Sequence, residues 1–200
     1  MVASETVELG PVDYKKLAGG VDFDTPIAPE PLAAALERAA KAFPTAPCVD
    51  FLGRTYTYAE IDGLADRMAK GLQKLGVGKG VNVGLFLPNT PYYVISYYAI
   101  LKAGGTVVNF NPLYAEEEIR KQVADAELKM MVTLDLEVLL PKLLRALDGT
   151  GAERVIVCSM AEALPFAKRH LFRLAKRKEI AHIPAEERFD RSSSLTANDA

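Results

Sequence analysis

Apolar positions in the first part of the chain recur mainly at helical spacing. Leu32, Leu36, Ala39 and Phe43 follow Pro31, which suits the first position of a helix, and Pro44 closes the run. A small hairpin is expected next, with 48–51 and 54–58 flanking Leu52-Gly53. The clearest helix starts at Thr57, because Thr57-Tyr-Ala-Glu60 fits a capping box in which hydroxyl and carboxylate each satisfy one orphan amide. Ile61, Leu64, Ala65, Met68, Ala69, Leu72 and Leu75 then form one apolar stripe, and Gly76 supplies a left-handed stop.

From residue 81 the pattern changes, and short apolar runs alternate with helical ones. Residues 81–87 read as a strand, Asn89-Thr90-Pro91 as a helix start, and Gly104-Gly105 as the end of that helix. A second strand is expected over 106–110, a turn at Asn111-Pro112, and a helix whose first turn carries Glu116, Glu117 and Glu118. Strands at 129–133 and 154–158 enclose a helix over 136–147. A basic helical segment covers 164–180, and a Pro- and Ser-containing tail closes the chain. This alternation favours parallel pairing with right-handed crossovers. The expected fold class is α/β, a doubly wound and mostly parallel sheet with helices on both faces. The expected organisation is an N-terminal arm over 1–28, an α/β unit over 29–183 and a linker over 184–200.

Composition narrows the function classes. Half the residues are hydrophobic and a quarter charged, which is ordinary for a soluble globular chain. A net charge of −2 argues against a general nucleic-acid binder, which needs a broad basic face. The charge is uneven: 164–180 carries a local +5, leaving −7 for the rest. Two cysteines, Cys48 and Cys158, are too few for a disulfide framework, and a reducing cytoplasm is expected. The start of the chain lacks a signal-peptide pattern, and the apolar run at 92–101 is too short to span a bilayer.

Candidate chemistry is sparse. The glycines of Gly76-Val-Gly-Lys-Gly80 follow a helix and precede a strand, the reverse of a dinucleotide-binding turn, so they read as a cap and turn. No Walker-type phosphate loop occurs. His170 and His182 lack partners at metal-ligand spacing. Cys158 ends a buried strand and reads as an inert thiol. Glu116 to Glu118 are explained by the helix dipole, and Tyr92, Tyr93, Tyr97 and Tyr98 read as packing. In the basic segment Leu164, Ala167, Leu171, Leu174 and Ala175 form an apolar stripe among Lys168, Arg169, Arg173, Lys176 and Arg177. Docking of that stripe onto the chain's own domain is the plainer reading; a helix lying in an anionic membrane interface is the sharper one.

The ordered series Thr57-Tyr-Ala-Glu-Ile61, Gly76-Val-x-x-Gly80, Leu87-Pro-Asn89, Ala99-Ile-Leu-Lys-Ala-Gly104 and Asn109-Phe-Asn-Pro-Leu-Tyr114 resembles the N-terminal part of adenylate-forming acyl-CoA synthetases. The Asn-x-Asn-Pro-Leu-Tyr version and the basic segment ending near His182-Ile-Pro184 are most similar to long-chain fatty-acid–CoA ligases. The resemblance covers roughly 28–184. It departs at Val81, where the family usually has Asp after the glycine.

The resemblance implies that ATP and a fatty acid give an acyl-adenylate, with Mg²⁺ offsetting phosphate charge, and that CoA then takes the acyl group. The family's phosphate loop, its Tyr/Thr-Glu motif, its ribose-binding Asp and its catalytic Lys do not occur here. No catalytic, cofactor-binding or metal-ligating residue is therefore assigned to this chain. No cofactor is expected on the 200-residue chain alone, whereas ATP, Mg²⁺ and CoA serve the full-length enzyme. The implied partners are the remaining subdomains of the ligase and its long-chain fatty acid, with peripheral contact at the inner face of a membrane through 164–180. Nucleic acid is not a partner, and oligomeric state is left open. The alternative is a naturally short, non-catalytic binding module derived from such a ligase.

Overall fold

A computed structural model describes Pro26 and residues 29–196. The chain divides into two compact units, Met1–Glu30 and Pro31–Ala200, and the helices and strands of the described residues lie in the second. Apart from Pro26, Glu30 and the residue before it, the arm expected over 1–28 and its junction lie outside the described residues.

The second unit begins with helix α1 (Leu32–Ala42), strands β1 (Pro47–Phe51) and β2 (Arg54–Thr57), and helix α2 (Tyr58–Lys74). The hairpin closes on Leu52 and Gly53, both with positive φ (52° and 89°), as a two-residue turn between right-twisted strands requires. The capping box at the head of α2 is present: Glu60 N donates to Thr57 Oγ1 at 3.2 Å, and Thr57 N donates to Glu60 Oε2 at 2.7 Å. Ile61, Ala65, Met68 and Leu72 are fully buried, as the stripe requires.

A five-stranded parallel sheet comes next, built from β3 (Asn82–Leu85), β4 (Thr106–Asn109), β5 (Met130–Leu134), β6 (Arg154–Cys158) and β7 (Phe189–Arg191). Its order is β4-β3-β5-β6-β7. Helix α3 (Pro91–Ala103) makes the first crossover, and α4 (Glu116–Asp125) carries the chain back past β3 to β5. Right-handed crossovers in opposite directions put these two helices on opposite faces. Accordingly α3 packs with α2 and α1, whereas α4 packs with α5 (Leu140–Leu147). All five residues of β5 are buried, as expected for a central strand covered on both faces. Gly84 on β3 makes room for this packing, since a Cβ there would lie 2.1 Å from Met131 Sδ.

Two expectations shift. The helix expected over 136–147 begins only at Leu140, because Leu136 pairs with Ile180 in an isolated bridge and Glu137 N donates to Glu179 O at 2.9 Å. The second shift concerns 184–200, expected as a linker. Phe189–Arg191 instead pairs with β6 as the fifth strand, and a helical turn, α8 (Ser192–Leu195), comes after it. Leu195 then packs on α2, where a Cβ on Gly71 would lie 2.8 Å from the Leu195 Cβ.

Between β6 and β7 come α6 (Met160–Ala163), just ahead of the basic segment, and within that segment α7 (Phe166–Ala175) and a 3₁₀ turn (Arg177–Glu179). Pro165 stands at the N-cap of α7, so the helix expected over 164–180 starts at Phe166, and it gives way after Ala175 to the 3₁₀ turn.

Candidate functional site

In an open parallel sheet, ligands bind outside the carboxyl ends of the strands, where the strand order reverses. Here the reversal lies between β3 and β5. The chain leaves β3 through 86–90, and Thr90 occupies the N-cap position of α3 with Pro91 behind it. The Thr90 hydroxyl makes no capping bond and is buried without a partner among the described residues. Beyond β5, Asp135 is 6% exposed and accepts from Met160 N at 2.7 Å, so it fixes the start of α6.

Alongside this edge lies a cleft of about 210 Å³ whose lining includes Arg54, Tyr56, Tyr92, Arg169, Ser192 and Thr196. Four separate stretches of chain build it. The Arg54 guanidinium lies 4.2 Å from the centroid of the Tyr56 ring, and its Nη1 donates to Glu162 O at 2.8 Å. Tyr56 OH donates to Ala163 O at 3.2 Å, tying the hairpin to α6. Arg169 Nη2 donates to the same Glu162 carbonyl at 3.3 Å, whereas its Nε is buried with no partner among the described residues. A smaller cavity of about 70 Å³ adjoins it and shares Glu162, Ser192 and Ser193.

Burial dominates the electrostatics of the phenols and of the thiol around this edge. Burial pushes the Tyr56 phenol up, with Arg54 acting in the opposite direction, and burial pushes Tyr92 up as well. Both phenols therefore stay protonated at neutral pH. Burial also drives the Cys158 thiol up to about 12, against a hydrogen bond with Ser192 that lowers it. A thiol in that state is no nucleophile. The cleft offers guanidinium and hydroxyl donors.

Residues weighed in the sequence fall mostly outside the cleft. His170 stacks edge-on against Phe166 at 4.7 Å, and His182 is exposed. Glu118 Oε2 accepts from Ala115 N at 2.7 Å and Glu116 pairs with Arg145 at 2.8 Å, so the acidic run serves the helix start. Tyr93 OH donates to Asn109 Oδ1 at 3.1 Å, and Tyr97 packs edge-on against Tyr98, while Tyr92 turns into the cleft. Gly76 and Gly80 have φ of 88° and 84° and make the turn between α2 and β3. Among the described residues, no group of three or more His, Cys, Asp or Glu could hold a metal ion, and no helix is long and apolar enough to cross a membrane. The convergence of Arg54, Arg169 and Ser192 had no signal in the sequence, since the three residues lie far apart along the chain.

Fold and site together define a doubly wound α/β scaffold with a cleft of guanidinium and hydroxyl groups beside the carboxyl edge of its sheet. Residues 36–195 match the family of AMP-binding enzymes, and the chain belongs to that family. It is 34% identical over 175 residues to a long-chain-fatty-acid–CoA ligase of Bacillus subtilis, covering 88% of this chain and 30% of that protein. A 4-coumarate–CoA ligase of Narcissus pseudonarcissus is 33% identical over 144 residues, covering 71% of this chain and 25% of that one. Among solved structures, a long-chain-fatty-acid–CoA ligase from Archaeoglobus fulgidus superimposes with a TM-score of 0.60 at 28% identity, covering 68% of this chain and 29% of that one. The chain thus spans less than a third of the length of these relatives.

Proposed function

We propose that this chain is the N-terminal portion of a long-chain fatty-acid–CoA ligase. In that reaction a fatty-acid carboxylate oxygen attacks the α-phosphorus of ATP and pyrophosphate leaves, giving an acyl-adenylate. The sulfur of CoA then attacks the acyl carbon, and AMP departs as the thioester forms. The observation that carries this reading is the 34% identity over 88% of the chain to a ligase named for long-chain fatty acids. The Asn-x-Asn-Pro-Leu-Tyr turn at the carboxyl end of β4 supports the same class.

The part played by these residues is positional. Leu113, after β4, is 87% exposed and Val138, after β5, is 75% exposed, both on the carboxyl edge of the sheet. Exposed apolar side chains at such an edge suit a wall against which the nucleotide- and acyl-binding subdomain packs. The described residues do not fit a Mg²⁺ site, so no step is assigned to a metal here.

The test compares two proteins in ATP–pyrophosphate exchange with palmitate. The 200-residue chain alone is expected to give no exchange. The product of the complete reading frame is expected to give palmitate-dependent exchange and palmitoyl-CoA. Exchange by the short chain would refute its assignment as scaffold, and a complete product that accepts 4-coumarate in preference to palmitate would refute the substrate class.

A further inference from the structure

What α7 turns towards the domain is a cation. The apolar stripe expected to dock there points outward instead, with Phe166 76% exposed, Leu171 65% and Leu174 81%. Arg169 turns inward: its Nη2 donates to the Glu162 carbonyl at 3.3 Å, and its Nε is buried with no partner among the described residues. A buried guanidinium N–H without an acceptor is costly, so its place in a cleft wall points to an acceptor that enters from outside.

Arg54 reaches the same carbonyl from the β1–β2 hairpin, so two guanidiniums converge on one oxygen. A single carbonyl cannot satisfy two five-donor forks. Burial raises the Tyr56 pKa and both cations act against it, which sets both charges beside one ring. Glu162 also lines the cleft, but its carboxylate is shared with Arg173 at 3.6 Å. Two cations facing one shared carboxylate leave the cleft positive, and that balance suits a monoanion. Thr196 Oγ1 donates back to Ser192 O at 3.1 Å and Ser192 bonds to Cys158, so Ser193 at the exposed rim is the hydroxyl that remains available. The opposite wall is apolar, made by Leu64, Met68 and Ile95 beside the Tyr92 ring.

We propose that this cleft binds a small carboxylate with a compact apolar body. Arg54, Arg169 and Ser193 hold the carboxylate, and Leu64, Ile95 and the Tyr92 ring receive the body. The planar guanidinium fork matches carboxylate geometry, and the apolar wall favours an organic acid over a bare, strongly hydrated anion. A volume of about 210 Å³ lies below the roughly 300–1,000 Å³ of drug-sized sites, so the ligand is small. The inference does not rest on the ligase reading, because the body that fits here is far shorter than a long acyl chain. A bound carboxylate would bridge the hairpin, α7 and α8, three stretches that are remote in sequence.

Isothermal titration calorimetry of the chain with benzoate tests it, with benzamide as the uncharged match in shape and inorganic phosphate as the bare anion. Benzoate is expected to bind one-to-one and about tenfold more tightly than either comparison. Arg169→Gln is expected to weaken benzoate about tenfold with the circular dichroism spectrum unchanged, since Arg54 still serves the Glu162 carbonyl. Ser193→Ala, at an exposed position, is expected to weaken it about threefold. Absence of binding, equal binding of benzamide, tighter binding of phosphate, or an affinity indifferent to either substitution would overturn the proposal. So would loss of benzoate binding at Arg169 in the product of the complete reading frame, where later chain would then fill the cleft.

Discussion

Lys102 shows how a single charged residue can hold three helices. It sits near the end of α3 with its side chain only 8% exposed, 2.6 Å from Asp62 and 2.5 Å from Asp66 on α2 and 3.4 Å from Glu37 on α1. Burial alone would lower its pKa, but hydrogen bonds to Asp62 and Asp66 outweigh that, so the pKa lies above the ordinary lysine value. The sign follows from linkage. The folded state binds this proton more tightly, so the full contribution is present below the unfolded lysine pKa and fades as pH rises through the folded one. Lys102→Met leaves three carboxylates facing one another and is expected to cost about 2 kcal/mol in urea unfolding at neutral pH, discounted because Asp66 and Glu37 are half exposed. The same variant is expected to lose the part of the alkaline fall in stability that this lysine supplies.

At the scale of elements, the close approach of α2 and α8 leaves no room for one added methyl. A Cβ on Gly71 would lie 2.8 Å from Leu195 Cβ and 3.0 Å from the Leu195 carbonyl oxygen. Backbone cannot yield as a flexible side chain can. Gly71→Ala is therefore expected to cost about 1–3 kcal/mol and to raise amide exchange in residues 192–196, read by hydrogen-exchange mass spectrometry. Elements with local signals were legible in the sequence: the Thr57 capping box, the Gly104 stop with its φ of 88°, and strand β6 at Arg154–Cys158. The late elements were not. Phe189–Arg191 is three residues long in a charged context, and only pairing with β6 makes it a strand. The cleft was hidden for a related reason, since Arg54 and Glu162 meet across 108 residues of sequence and no spacing rule reaches that far. The direction of the α7 stripe was equally hidden, because periodicity finds an apolar face without saying what lies opposite it.

For the whole molecule, the sheet order decides where the carboxyl-end loops open. The reversal between β3 and β5 opens the sheet's carboxyl end, and the loops there carry Leu113 and Val138 into solvent. Neither side chain supports the core, so Leu113→Glu with Val138→Glu is expected to change the unfolding free energy by no more than about 0.5 kcal/mol. The same pair is expected to lower the fluorescence of an apolar dye bound to the chain. A large loss of stability would show that the two residues brace the fold instead.

The clasp between Leu195 and α2 also bears on the order of synthesis. α2 leaves the ribosome early, with its apolar stripe already complete, but the residues that finish covering it and that pair with β6 are translated about 120 positions later. A nascent chain halted before 189 would present β6 as an unpaired edge of Val155, Ile156 and Val157. A premature stop in that window would hand chaperones a sticky, half-wound sheet, whereas a stop just past Thr196 would release one with β6 paired to β7 and α2 covered by Leu195.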